Sequence, residues 1–201
     1  MTGIGEERPG RPRRLVVGIS GASGAVYGLR LLQMLRPLPV EAHLVMSRAA
    51  EVTLAHETGH KVAEVAGLAD RFYRNDDLAA AISSGSFRTL GMVVAPCSVK
   101  SLAEIASGVT GSLLARAADV TLKERRRLVL LVRETPLTSG HLKAMLAVSE
   151  MGGIIAPPVP AFYAGPADLD QMVTQTIGRV LDLFDLEAEG VARWGEDVGK
   201  R

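Results

Sequence analysis

The 201-residue chain has a single cysteine, Cys97. That excludes an internal disulfide framework and a multi-cysteine metal site, and a lone thiol fits a reducing compartment, so a cytoplasmic protein is expected. Aromatic residues are scarce at 4%, although hydrophobic residues make up 47%. The interior must then be built from closely packed Val, Leu, Ile, Ala and Gly, which suits a parallel sheet buried on both faces. An excess of charge is missing too, with 23 Lys and Arg against 22 Asp and Glu. No overall field draws the chain to nucleic acid or to an anionic membrane, so any phosphate recognition must be local. There is no uninterrupted apolar run of a length that spans a bilayer, and the basic N-terminus lacks a following signal-type apolar block. The four histidines, His43, His56, His60 and His141, are scattered without a convincing carboxylate or cysteine set. His56 and His60 are four apart, but Gly59 lies between them, and no metal is expected.

The length suits one well-buried domain. Residues 1–13 (MTGIGEERPGRPR) are rich in Gly, Pro and charge and read as a leader. The folded core is expected over 14–187, with a C-terminal tail over 188–201. Short apolar runs recur at 15–19, 42–46, 91–95, 128–132 and 153–156, separated mostly by longer helix-compatible stretches. This alternation predicts β-α units and an α/β fold with a mainly parallel sheet, because parallel neighbours need crossover connections. Segment 167–186 places Leu169, Met172, Val173, Thr176, Ile177, Val180, Leu181 and Phe184 at helical spacing and predicts a closing helix. The stretch 58–90 is less periodic and reads as a surface excursion between two strands.

After the first strand comes SGASGAVYG, with glycines at 21, 24 and 28 and hydroxyls at Ser20 and Ser23. A strand running through such a turn into a helix offers backbone N–H groups to an anion. The same glycines also serve a tight turn and close helix–strand packing. The second strand ends Met46-Ser47-Arg48, without the acid that would hold an adenosine ribose, which speaks against NAD and leaves room for a mononucleotide. No Lys-[Ser/Thr] follows the glycines, so a nucleotide-hydrolysing P-loop is not expected.

Taken together, VVGISGASGAVYGLRLL (16–32), LVMSRAA (44–50), SGSF (84–87), VVAPCSVKSLAEIASG (93–108), the long segment 113–146 and MGGIIAPPVPAFY (151–163) resemble the UbiX-type flavin prenyltransferases, in order and spacing as well as in composition. The resemblance runs from about residue 14 to 181. It implies a single Rossmann-like, flavodoxin-like three-layer domain that binds FMN, in a homo-oligomer, commonly a dodecamer, with sites completed by neighbouring subunits. The implied reaction joins dimethylallyl phosphate to N5 and C6 of reduced FMN, and the product, prenylated FMN, serves a partner decarboxylase. Related flavin-dependent cysteine decarboxylases share fold and flavin, but the asparagine motif that they carry is absent here, where the corresponding stretch reads APCSVKS. A non-enzymatic FMN carrier is the other alternative.

The resemblance maps flavin contacts onto Gly21, Ala22, Ser23, Ser47, Ser98, Val99, Lys100, Ser101 and Arg116. Ser98 and Ser101 would equally serve as helix caps. It maps the phosphate of the prenyl donor onto Lys123, Arg133, Tyr163 and Arg179, and catalysis onto Glu134, Ser23, Glu57 and Lys123. Basic side chains and a phenol suit a phosphate, and Glu134, directly after a buried strand, is placed to move a proton to the leaving group. As bare sequence, Lys123 lies in the charge run KERRR, Arg179 is a polar helix position, and Glu57 sits in AHETG, where a helix end is the plain reading. The family often has tryptophan before the SGS loop, absent here; Trp194 in the tail is either its substitute or a packing anchor. Cys97 reads as an inert buried thiol.

Overall fold

A computed structural model describes residues 12–199. Its order is β1 (Arg13–Ile19), α1 (Ala25–Leu35), β2 (Val40–Met46), α2 (Arg48–Thr58), α3 (Val62–Ala66), β3 (Arg71–Arg74), β4 (Gly91–Cys97), α4 (Val99–Ser107), α5 (Leu113–Lys123), β5 (Arg127–Val132), α6 (Ser139–Glu150), β6 (Ile154–Ile155) and α7 (Leu169–Asp182). The six strands pair in the order β3-β2-β1-β4-β5-β6, every pairing parallel. The expected α/β, Rossmann-like three-layer domain is therefore present. The leader expected over 1–13 lies outside the described residues except for its last two positions, and Arg13 already belongs to β1.

Alternation along the strands divides the core between two faces. Leu15, Val17, Ile19, Val93, Ala95, Val129 and Leu131 face a layer made by α1, α2, α3 and α7. Val16, Met92, Val94, Leu128, Leu130 and Val132 face α4, α5 and α6. Burial on both faces explains why β1, β4 and β5 read as continuous apolar runs.

Two expectations need correction. Residues 58–90 are not only a surface excursion: they contain α3 and the edge strand β3, RFYR, which pairs with β2 from His43↔Arg71 to Met46↔Arg74. An edge strand with one half-buried residue, Tyr73, carries no apolar run to announce it. Tyr73 reaches inward to bond the Nδ1 of buried His43 at 2.9 Å. The closing helix is shorter than expected, and Leu169, placed on its inner face by spacing, is 77% exposed. Among the described residues no helix is long and apolar enough to cross a membrane, and no group of three or more His, Cys, Asp or Glu could hold a metal ion.

Candidate functional site

Strand order reverses direction between β1 and β4, and the crevice beyond their carboxyl ends is where open α/β sheets receive ligands. Ser20 ties the two strand ends together. Its amide and hydroxyl both donate to the Pro96 carbonyl, at 3.1 and 2.9 Å, and its oxygen accepts the Ser98 amide at 2.7 Å. Around this staple α1, α2 and α4 begin. The Ser47 amide donates to the Ile19 carbonyl at 3.0 Å while its hydroxyl caps α2 by accepting the Ala50 amide at 3.1 Å. Ser98 caps α4 in the same way, accepting the Ser101 amide at 3.3 Å, and its hydroxyl bonds that of Ser101 at 3.3 Å.

Capping leaves the Val99 and Lys100 amides at the open end of α4 with no acceptor among the described residues, and the amides of Gly21, Ala22 and Ser23 are in the same position. Glycine is needed at 21 for packing: a Cβ there would lie 2.4 Å from the Ala49 Cβ. Unpaired amides, serine hydroxyls and a turn pressed against α2 fit the phosphate and polar chain of a mononucleotide such as FMN.

One donor pair is already used. The Glu57 carboxylate, at the end of α2, accepts the Gly24 and Ala25 amides at 2.8 and 2.9 Å and so caps α1 from outside. The start of α1, expected to offer its amides to an anion, is closed by the protein's own carboxylate. Burial pushes the Glu57 carboxyl up, but the Ser23 hydroxyl, the two amides and the Arg133 charge outweigh it and hold the group below the ordinary value. The same Arg133 field acts on Tyr27 of α1, whose phenol burial pushes upward and Arg133 opposes. Arg133 follows β5 with its amide bonded to the Cys97 carbonyl at 3.0 Å. Glu134 comes next, exposed, its carboxylate accepting the Thr135 amide at 2.9 Å. Cys97 is fully buried, and burial pushes its thiol up to about 12. It is not a thiolate nucleophile at neutral pH.

Tyr163 lies apart, in a short 3-10 turn over Phe162–Ala164. Gln175 of α7 donates to its hydroxyl at 3.3 Å, and Trp194 stands edge-on to its ring, centroids 5.9 Å apart at 83°. Arg179 pairs with Asp182 one turn on, and Asp182 also takes Arg193 of the tail at 2.9 and 3.0 Å. These bonds pull the Asp182 carboxyl down, the Arg193 bond most strongly.

The crevice edge thus brings together Gly21, Ala22, Ser23, Ser47, Glu57, Ser98 to Ser101, Arg133 and Glu134. Four expected residues are not in that group: Tyr163 and Arg179 lie in the separate cluster just described, and Lys123 and Arg116 stand elsewhere. Lys123 ends α5, just before β5 starts, and bonds Glu124 at 2.5 Å at the opposite edge of the sheet. Arg116 lies in the first turn of α5, which starts beside Asn75 at the end of β3, and its guanidinium is taken by Asp119 at 2.7 Å and the Ser83 carbonyl at 3.2 Å. The acid three residues on was the sequence signal for that pairing. Lys100 turns along its own helix to Glu104 at 2.8 Å, so only its amide faces the crevice end. Tyr27, Gln175 and Asp182 were missed, and Ser20, read as a hydroxyl of the turn, instead ties two strand ends. Gln175, a polar residue between apolar Val173 and Ile177, was the readable one.

The flavoprotein family matches residues 4–183. The flavin prenyltransferase UbiX of Escherichia coli (strain K12) is 57% identical over 185 residues, covering 90% of this chain and 98% of the relative. The crystal structure of AnUbiX (PadA1) in complex with FMN and dimethylallyl pyrophosphate superposes with a TM-score of 0.90 at 52% identity, over 92% of this chain and 98% of that one. A dodecameric FMN-dependent Ubix-like decarboxylase from Escherichia coli O157:H7 gives 0.88 at 52% identity, over 90% and 98%. The chain belongs to the flavoprotein family and, within it, to the UbiX-type flavin prenyltransferases.

Proposed function

We infer that this protein is a metal-independent flavin prenyltransferase, joining the dimethylallyl group of dimethylallyl phosphate to N5 and C6 of reduced FMN and releasing prenylated FMN for a partner decarboxylase. The observation that carries the reading is the identity, over nearly the whole chain, to a curated enzyme of that activity. The crevice supports it, since its unpaired amides fit a mononucleotide, and residues 14–187 are assigned as the catalytic domain, with 188–201 as its tail.

Gly21 to Ser23, Ser47 and the amides and hydroxyls of Ser98 to Ser101 would hold FMN. Reduced FMN supplies the two nucleophilic positions when bound. The chain's own work is to orient the donor, neutralise its phosphate and exclude water. Arg133, Tyr163 and Arg179 would meet the phosphate by charge-assisted hydrogen bonds, and Glu134 would deliver a proton to it as the C–O bond breaks. Glu57, closing α1, keeps Ser23 in place beside it. Lys123 stands at the wrong edge to serve its own crevice, so it is assigned to the site of a neighbouring copy in a homo-oligomer, a dodecamer like that of the E. coli relative. The exposed Leu137, Leu142 and Leu146, on or just before α6, offer an apolar face for such contacts. The protein is assigned to the cytoplasm. Arg116, in the first turn of α5, keeps in this proposal the flavin contact that the resemblance maps onto it.

Anaerobic incubation with reduced FMN and dimethylallyl phosphate, followed by mass analysis of the flavin, tests the reading. A gain of one C5H8 unit with release of inorganic phosphate is expected. An unchanged flavin would leave a carrier, and donor-independent release of CO2 from a peptidyl cysteine would make the protein a decarboxylase.

A further inference from the structure

Gln175 is a polar side chain in an apolar place. It sits on α7 among buried Val173, Ile177 and Gly178 and is itself only 3% exposed. Burying an amide is costly unless its donors and acceptor are paired, and here they are. Oε1 accepts the Ala192 amide at 2.8 Å, and Nε2 donates to the Ala192 carbonyl at 2.8 Å and to the Tyr163 hydroxyl at 3.3 Å.

The orientation of the Gln175 amide follows from these partners. A backbone N–H only donates and a carbonyl only accepts, so Ala192 fixes which end of the side chain is nitrogen. Nε2 has no lone pair to offer. The phenol oxygen is therefore the acceptor in this contact, and the phenol's own hydrogen points elsewhere. Trp194 against the ring edge restricts its swing.

We propose that Gln175 is a positioning residue that sets the polarity of Tyr163, holding its hydroxyl as a hydrogen-bond donor to the phosphate of the prenyl substrate. The inference rests on the function proposed above, in which Tyr163 meets that phosphate. A phosphate dianion offers only acceptors, so a phenol whose hydrogen was spent on a buried acceptor would present lone pairs to it and repel it. An amide at 175 avoids this, and a carboxylate would reverse it. The tail is part of the device, since Ala192 orients the amide while the next residue, Arg193, holds Asp182, the partner of Arg179.

A double-mutant cycle tests the proposal. Binding of dimethylallyl phosphate is measured calorimetrically on the full chain loaded with oxidised FMN, where no turnover occurs, and FMN affinity is measured separately by fluorescence quenching. Gln175→Leu and Tyr163→Phe are each expected to weaken donor binding about tenfold, the size of one hydrogen bond to a charged group. FMN affinity should stay within about twofold of the wild type for an interaction confined to the donor. The double variant should be no worse than Tyr163→Phe alone, because Gln175 acts through that hydroxyl. Additive losses, an unchanged Gln175→Leu, or parallel loss of FMN and donor would each overturn the proposal, the last making Gln175 merely structural. If the leucine variant does not fold, Gln175→Met, uncharged and of similar length, takes its place in the cycle, with the same outcomes read the same way. Failure of the underlying reading is separate: the wild type itself would then neither bind the donor nor convert the flavin.

Discussion

The crevice between β1 and β4 and the cluster around Tyr163 are built by different means. In the crevice the backbone does most of the work: Ser20, Ser47 and Ser98 satisfy neighbouring strand ends and helix starts, leaving a rim of unpaired amides. Around Tyr163, side chains are held by other side chains and by the C-terminal tail, through Gln175 on Ala192 and Asp182 on Arg193. A third charge assigned to the donor, Lys123, is not there at all but on the far edge of the sheet. In the proposed assignment the crevice groups that would seat flavin come mostly from backbone within one chain, whereas the groups assigned to seat the donor draw on the tail and on a neighbouring copy.

The sharpest way to separate the two seats is Glu134→Gln, which keeps shape while removing the transferable proton. Single-turnover formation of prenylated FMN should fall about 10²–10⁴-fold, the usual loss for a general acid, with FMN affinity by fluorescence quenching unchanged. Equal loss of both would merge the seats and make Glu134 structural. A smaller effect tests the neighbouring copy. Lys123→Ala and Glu134→Gln subunits, each inactive alone, should recover roughly a quarter of wild-type turnover when mixed and reassembled, because a site drawing its two residues from different subunits is intact in that share of random pairings. No recovery would return Lys123 to its own chain or remove it from the site.

The smallest effect concerns Glu57, on the flavin side. Its folded-state pKa is lowered, so its carboxylate stabilises the fold above the ordinary carboxyl value and loses that contribution as pH falls through the folded value. Because the group is largely exposed and screened, Glu57→Gln should cost under about 1 kcal/mol near pH 7. In thermal melts the difference from wild type should narrow as pH falls below the ordinary carboxyl range and close once Glu57 is protonated in the folded state as well. A gap that persisted in acid would mean that the cap does not depend on charge.

Four of the six strands, β1, β2, β4 and β5, were legible because burial on both faces leaves an apolar run that needs no partner to be recognised, and the half-buried edge strand β6 was legible from its two isoleucines. The strand β3 was not, since an edge strand with Arg at both ends reads as surface until β2 is beside it. The crevice was legible for a related reason. Its glycines and serines sit within a few residues of strand ends, where local chain geometry dictates their place. The partners of Arg116 were only half legible, because its sequence neighbourhood carries no trace of the Ser83 carbonyl, 33 residues away, that joins Asp119 in taking its guanidinium.

By itself, then, the sequence determined the parallel α/β architecture, the turn at Gly21 to Ser23 and the serine-capped helix starts, because these follow from short-range periodicity and from caps whose donor and acceptor are three residues apart. Only the tertiary structure decided that Glu57 closes α1 from 33 residues away, that Lys123 faces the opposite edge from Glu134, and that Gln175 joins Tyr163 to Ala192. Each of these depends on which elements pack side by side, a matter of burial summed over the whole core that no local pattern records.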